Sequence, residues 1–146
     1  MQLTEHFKLE EFTRSPIANR LKIDNSVPDE LMANVQLTAA KLELVRAALG
    51  KPIVITSGYR CPELNKRVGG VPTSAHTKGL AVDFRCDYGT PKQICQHLID
   101  AGVPFDKIIQ EHNQWVHIGF SLSNNRQIVL TAVKQGGKTV YLNGLV

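Results

Sequence analysis

The chain has 146 residues, of which 42% are apolar and 21% charged. That suffices for one domain with a real hydrophobic core, and it excludes a disordered or fibrous polypeptide. The net charge of +4 is spread along the chain; it fits drift toward an anionic surface such as a bacterial envelope, and gives no argument for a nucleic-acid partner.

No apolar run approaches the length needed to span a bilayer, so no membrane insertion is expected. Met1 to Phe7 carries no basic segment followed by an apolar core. The expectation is therefore synthesis in the cytoplasm without a secretory signal. The cysteines, Cys61, Cys86 and Cys95, are odd in number and form no Cys-x-x-Cys pair. They read as reduced thiols in packing roles, not as a disulfide framework or a thiolate zinc knuckle. Cys61 has no paired base to make a cysteine peptidase.

In chain order, Phe7, Leu9 and Phe12 among polar neighbours predict a short amphipathic helix or turn. Pro28 with Asp29 and Glu30 opens a long helix from Glu30 to Leu49, whose apolar residues recur at nearly 3.6-residue spacing. Gly50 stops it and Pro52 follows. Pro52 to Thr56 is β-branched and predicts a buried strand. Pro62 to Val68 predicts a short helix, with Gly69 and Gly70 beyond its end. Leu80 to Phe84 predicts a short buried strand. Thr90 and Pro91 start another helix, which Gly102 ends. Phe105 to Ile109 and Trp115 to Phe120 predict strands around a turn at His112 and Asn113. Ile128 to Val133 and Thr139 to Leu142 predict a hairpin around Gly136 and Gly137. Helices come first and strands later, which predicts an α+β fold with helices packed on a central antiparallel sheet.

The chemistry concentrates in Ser74–Phe84 and in Gln114–Phe120. The first stretch holds His76 and Asp83, the second His117. Two imidazoles and a carboxylate suit Zn²⁺, with a fourth position left for water. A closed structural site normally takes four protein ligands, so this set points to a catalytic metal. Asp83 ends an apolar run, where an unpaired carboxylate is costly and a cation would offset the cost. Trp115 and His117 share a face of their strand, because strand side chains alternate.

The pattern Ser-x-His-x-x-Gly-x-Ala-x-Asp-Phe, followed by Trp-x-His, resembles the zinc D-alanyl-D-alanine carboxypeptidases. Their relatives include phage endolysins and the zinc-binding domain of hedgehog proteins. Thr56-Ser57-Gly58-Tyr59-Arg60 resembles the family's Ser-Gly-Tyr-Arg segment. The resemblance implies one domain over residues 1–146, one Zn²⁺ per chain held by His76, Asp83 and His117, and a monomer acting on peptidoglycan stem peptides. It implies that Arg60 clamps a substrate carboxylate and stabilises an oxyanion. In relatives, the acidic catalytic residue lies three or six positions before the last histidine. Here those positions are Gln114, which cannot act as a base, and Glu111, which can. Ser74 is expected to bind substrate or orient His76, and His112 to help bind substrate or the tetrahedral intermediate. Tyr59 and Trp115 read as core or cleft-wall residues, and Gly79 as a site of close backbone approach. His97 reads as a surface residue, and His6 lies near a flexible start of the chain.

The activity implied is a D,D-carboxypeptidase or endopeptidase of endolysin type, and the small size resembles a phage or prophage protein. The rival reading is a zinc-binding interaction or virion module of the same fold that hydrolyses nothing.

Overall fold

Six strands form one sheet in the computed structural model, which describes residues 1–146. They are β1 (Ile53–Ser57), β2 (Ala81–Cys86), β3 (Lys107–Glu111), β4 (Trp115–Gly119), β5 (Ile128–Gln135) and β6 (Lys138–Asn143). Their order across the sheet is β1-β2-β4-β3-β5-β6. Five α-helices accompany them: α1 (Leu9–Thr13), α2 (Pro16–Leu21), α3 (Met32–Leu49), α4 (Pro62–Arg67) and α5 (Pro91–Asp100). The fold is α+β, as its sequence predicts.

The sheet has two chemically distinct faces, because alternate side chains point opposite ways. Ile53, Ile55, Val82, Phe84, Ile108, Val116 and Ile118 lie on the face that carries the core. Val35, Ala39, Leu42, Val45 and Leu49 of α3 and Ile94, Cys95 and Leu98 of α5 pack into that core, with Leu3, Phe7, Phe12, Val103, Phe105 and Phe120. Fully burying a side chain such as Phe84 contributes about 1.5–3 kcal/mol. The other face carries Asp83, His117, Ile109 and Glu111, and it holds the site.

The long helix begins as a 3₁₀ turn, Asp29–Leu31, and becomes α-helical at Met32. It ends at Gly50, whose φ of 65° suits a residue without a side chain. At the start of α5, Thr90 accepts from the Gln93 amide while Gln93 returns a bond to the Thr90 amide. One helix, α2, has no counterpart among the sequence expectations. Its signal was Ser15-Pro16, a capping hydroxyl followed by proline at the first helical position.

One strand pair departs from the antiparallel expectation. Strand β4 ends with Gly119 beside Lys107, at the start of β3. Strand β5 begins there too, with Ile128 beside Lys107, and therefore runs parallel to β3. The connection from β4 delivers β5 to that same end of β3. No helix is long and apolar enough to cross a membrane.

Candidate metal centre

Asp83 and His117 face each other across the β2–β4 ladder. His76 comes from the 3₁₀ turn Ala75–Lys78, just before β2. The three meet as expected. His117 Nδ1 lies 3.1 Å from Asp83 Oδ1, and His76 Nε2 lies 3.4 Å from the same oxygen. All three candidate ligand atoms fall within 4.8 Å of one another. Ligands on a tetrahedron with zinc bonds of about 2.0–2.1 Å stand about 3.3 Å apart, so the two shorter separations already fit.

The donor chemistry fits as well. His76 Nδ1 stands 2.7 Å from the carbonyl oxygen of Gly58. A carbonyl only accepts, so Nδ1 carries a proton, and Nε2 is the ring nitrogen that faces Asp83. A second partner that fixes the tautomer in this way is characteristic of metal-binding histidines. Burial alone would raise the Asp83 carboxyl, but the imidazoles of His76 and His117 outweigh it. They hold that carboxyl far below the usual carboxylate range, and it stays ionised. The set can hold a metal ion.

Arg60 holds the other oxygen of Asp83. Its guanidinium donates to Asp83 Oδ2 at 3.4 Å, to Asn65 Oδ1 at 3.2 Å and to Ser57 Oγ at 3.1 Å. Each terminal nitrogen keeps a second N–H beyond these bonds. Burial lowers the guanidinium's affinity for its proton, and Asp83 and Glu111 oppose that. Ser57 stands opposite Asp83 because a bulge between Ile55 and Ser57 shifts the register of β1. Asn65 is buried and also ties to the Val71 carbonyl at 2.8 Å. Ser57 and Asn65 were not among the candidate site residues. Their partners come from the chain's return at Arg60, which local pattern does not reveal.

The Ser-Gly-Tyr-Arg segment has a physical cause at each position. Buried Asn25 pins it by donating to the Tyr59 carbonyl at 3.0 Å and accepting from the Cys61 amide at 2.8 Å. Tyr59 is a core residue. Gly58 packs so tightly that a β-carbon would lie 2.7 Å from both the Cα and the carbonyl oxygen of Phe12. Backbone must move to admit it, and the carbonyl that orients His76 moves with it. Gly58→Ala is therefore expected to cost about 1–3 kcal/mol of stability and to weaken zinc binding. Thermal unfolding with zinc titration checks this, and an unchanged affinity would refute the coupling. Gly79 matches its expectation: its φ is 73°, and a β-carbon would meet Val35 Cγ2 at 2.7 Å.

Glu111 ends β3, directly before the turn of His112 (φ 53°) and Asn113 (φ 57°). Ile109 pairs with His117, so Glu111, two residues on, shares the face of the candidate ligands. It is buried, and one of its carboxylate oxygens lies 3.8 Å from His112 Nε2. Burial and the charge of Asp83 raise its carboxyl above the usual value, against the pull of His117 and Arg60. Gln114 is exposed in the turn.

Ser74 Oγ accepts from the His76 amide at 3.3 Å and so caps the turn that presents His76. His112 packs against Trp115 at 5.7 Å, and its buried Nδ1 has no partner. Both line, with Arg60, Trp115 and the three ligands, one cavity of about 660 Å³. Trp115 is thus a wall of the cleft.

His97 is tied to the Ala48 carbonyl at 2.7 Å, and His6 to Glu43 at 2.7 Å; neither lies in the cavity. The cysteines are all free. Cys61 caps α4 by accepting from the Leu64 amide at 3.4 Å, and burial pushes the Cys95 thiol up to about 12.

Residues 5–119 match the family described as Peptidase M15. The chain belongs to that family, the zinc D-Ala-D-Ala carboxypeptidases. The matched span of this M15 peptidase includes every candidate ligand, Arg60 and Glu111, and stops before β5 and β6. No curated protein matches the chain.

Proposed function

We propose that this M15 peptidase hydrolyses amide bonds in peptidoglycan stem peptides, as a D,D-carboxypeptidase or endopeptidase with one Zn²⁺ per chain. The observation that carries this reading is the convergence of His76, Asp83 and His117 in one cavity with the buried carboxylate of Glu111. Zn²⁺ bound to the three ligands supplies Lewis acidity toward water and an amide carbonyl.

The chain's own residues do the rest. Glu111 takes a proton from the attacking water as its oxygen bonds to the carbonyl carbon. When the C–N bond breaks, Glu111 returns that proton to the leaving amine. Its place in the same cavity as the candidate ligands suits both halves of the cycle. Arg60 fixes Asp83 through one N–H, and its spare N–H donors serve the substrate carboxylate or the developing oxyanion. Ser74 holds His76 in place through the backbone. The His112 imidazole, with its unpartnered Nδ1, binds substrate on the Glu111 side. An endolysin role fits this substrate, with a separate factor carrying the protein to the wall.

The test uses zinc-loaded protein with a stem pentapeptide ending in D-Ala-D-Ala, and with intact sacculi. Release of D-alanine alone marks a carboxypeptidase, and release of longer fragments from sacculi marks an endopeptidase. Zinc-loaded protein that cuts neither would overturn the reading.

A further inference from the structure

The C-terminal hairpin is the element the family match leaves out, yet it builds part of the cavity. Glu111 pairs with Ala132 of β5, and Ala132 pairs with Tyr141 of β6. Paired residues share a face, so Glu111, Ala132 and Tyr141 form one row across the sheet on the metal side. Strands stand about 4.8 Å apart, which puts the two outer Cα atoms about 10 Å from each other. Between them lies only the methyl group of a fully buried alanine. Glu111 and Tyr141 flank the same small residue and line the same cavity. Tyr141 lines the cavity together with the three ligands, Leu130 and Thr139. It is 54% exposed, and no protein acceptor holds its hydroxyl.

Arg60 reaches the cavity from the opposite side, beyond β2, and much of its hydrogen-bonding capacity is committed to Asp83, Asn65 and Ser57. A substrate amide beside Glu111 thus meets the free hydroxyl of Tyr141 from the hairpin side. Burial, with the nearby charges of Glu111 and Asp83, raises the phenol above its usual value. The hydroxyl keeps its proton and can donate, but it is a poor base.

We propose that Tyr141 is a catalytic residue of this peptidase, whose hydroxyl donates a hydrogen bond to the scissile carbonyl oxygen as negative charge develops there. The proposal rests on the peptidase reading above and adds a residue outside the matched span. No proton leaves Tyr141 in this role.

The experiment compares wild type with Tyr141→Phe, which keeps the ring and the strand preference and removes only the hydroxyl. Both are loaded with zinc and given the D-Ala-D-Ala pentapeptide. Binding of a phosphinate isostere of the scissile amide is followed by calorimetry. The expected result is a fall in kcat of about 10²-fold with KM nearly unchanged, by analogy with loss of one oxyanion donor. Phosphinate affinity should fall in step, while zinc content and thermal midpoint stay at wild-type values. An active wild type with an equally active Tyr141→Phe overturns the role of Tyr141 alone. Loss of zinc or of thermal midpoint together with rate marks a structural tyrosine and also overturns it. A zinc-loaded wild type that neither cuts the peptide nor binds the phosphinate removes the peptidase reading and this role together.

Discussion

His117→Ala is expected to yield a folded protein that holds almost no zinc, against about one zinc per chain in the wild type, the count of a mononuclear site. The substitution is chosen for its place in the sheet. His117 lies on β4 between Val116 and Ile118, which are fully buried on the opposite face and keep the strand anchored. The imidazole faces the cavity, so its removal enlarges a solvent-filled space and opens no hole in the core. The remaining pair, His76 and Asp83, supplies only two ligand atoms, too few for a tight site. Loss of an outer partner of a ligand typically costs 10–100-fold in metal affinity, and loss of a ligand itself should exceed about 100-fold. Elemental analysis of protein purified without added metal, followed by zinc titration, reads the result. Gln114→Ala serves as the control, because Gln114 is exposed in the adjoining turn. Full zinc occupancy in His117→Ala would remove the metal site as drawn.

The candidate ligand set stood out in the sequence because its members violate the pattern around them. Asp83 interrupts the apolar run of β2, and His117 interrupts that of β4; both sit where a solvent-facing or apolar residue costs less. Alternation then put His117 on the face of Trp115. The two elements needed no long-range information beyond the guess that they are neighbours, and the ladder pairs Asp83 with His117 directly. Glu111 was legible for a related reason. A tight turn returns the chain, so a residue six positions before His117 lands almost beside it.

The supporting contacts were not legible, because each depends on a distant loop. The Gly58 carbonyl that orients His76 is 18 residues away in sequence. Nothing in Asn65 itself, on a short helix, announces that it braces Arg60. The antiparallel expectation holds for every strand pair except β3 and β5, where the loop after β4 delivers β5 to the Lys107 end of β3. The bulge that turns Ser57 toward Asp83 is invisible in the β-branched run of β1. Tyr141 carried no signal at all. An isolated tyrosine in a β-hairpin is ordinary, and only the pairing of β5 with β3 brings it into the row of Glu111.

Glu111→Gln separates chemistry from metal binding, and it has opposite expected effects on rate and stability. Glutamine keeps the shape of the side chain but cannot take a proton from water. With general acid–base assistance worth about 10²–10⁴-fold, kcat should fall by that order while zinc stays bound. Glu111 is not one of the three converging ligands, so zinc content should match the wild type. Stability should move the other way in the metal-free protein. Burial and Asp83 hold the Glu111 carboxyl above its ordinary value in the folded state, so its ionisation works against folding. Below the ordinary carboxylate range the group is neutral in both folded and unfolded chains, and the cost is absent. As pH rises through the raised folded-state value, the cost sets in and persists at neutrality. Glutamine never carries that charge. Metal-free Glu111→Gln should therefore unfold at a higher temperature than metal-free wild type at neutral pH, and the difference should vanish in acid. Zinc narrows it at neutral pH, because a nearby cation favours the carboxylate. Thermal unfolding across pH, with and without zinc, beside the pentapeptide assay reads both effects. A variant that keeps zinc and full wall-degrading activity would leave Glu111 an ordinary turn residue. A wild type that binds zinc, cuts nothing and performs no differently from this variant would make the domain a binding module instead.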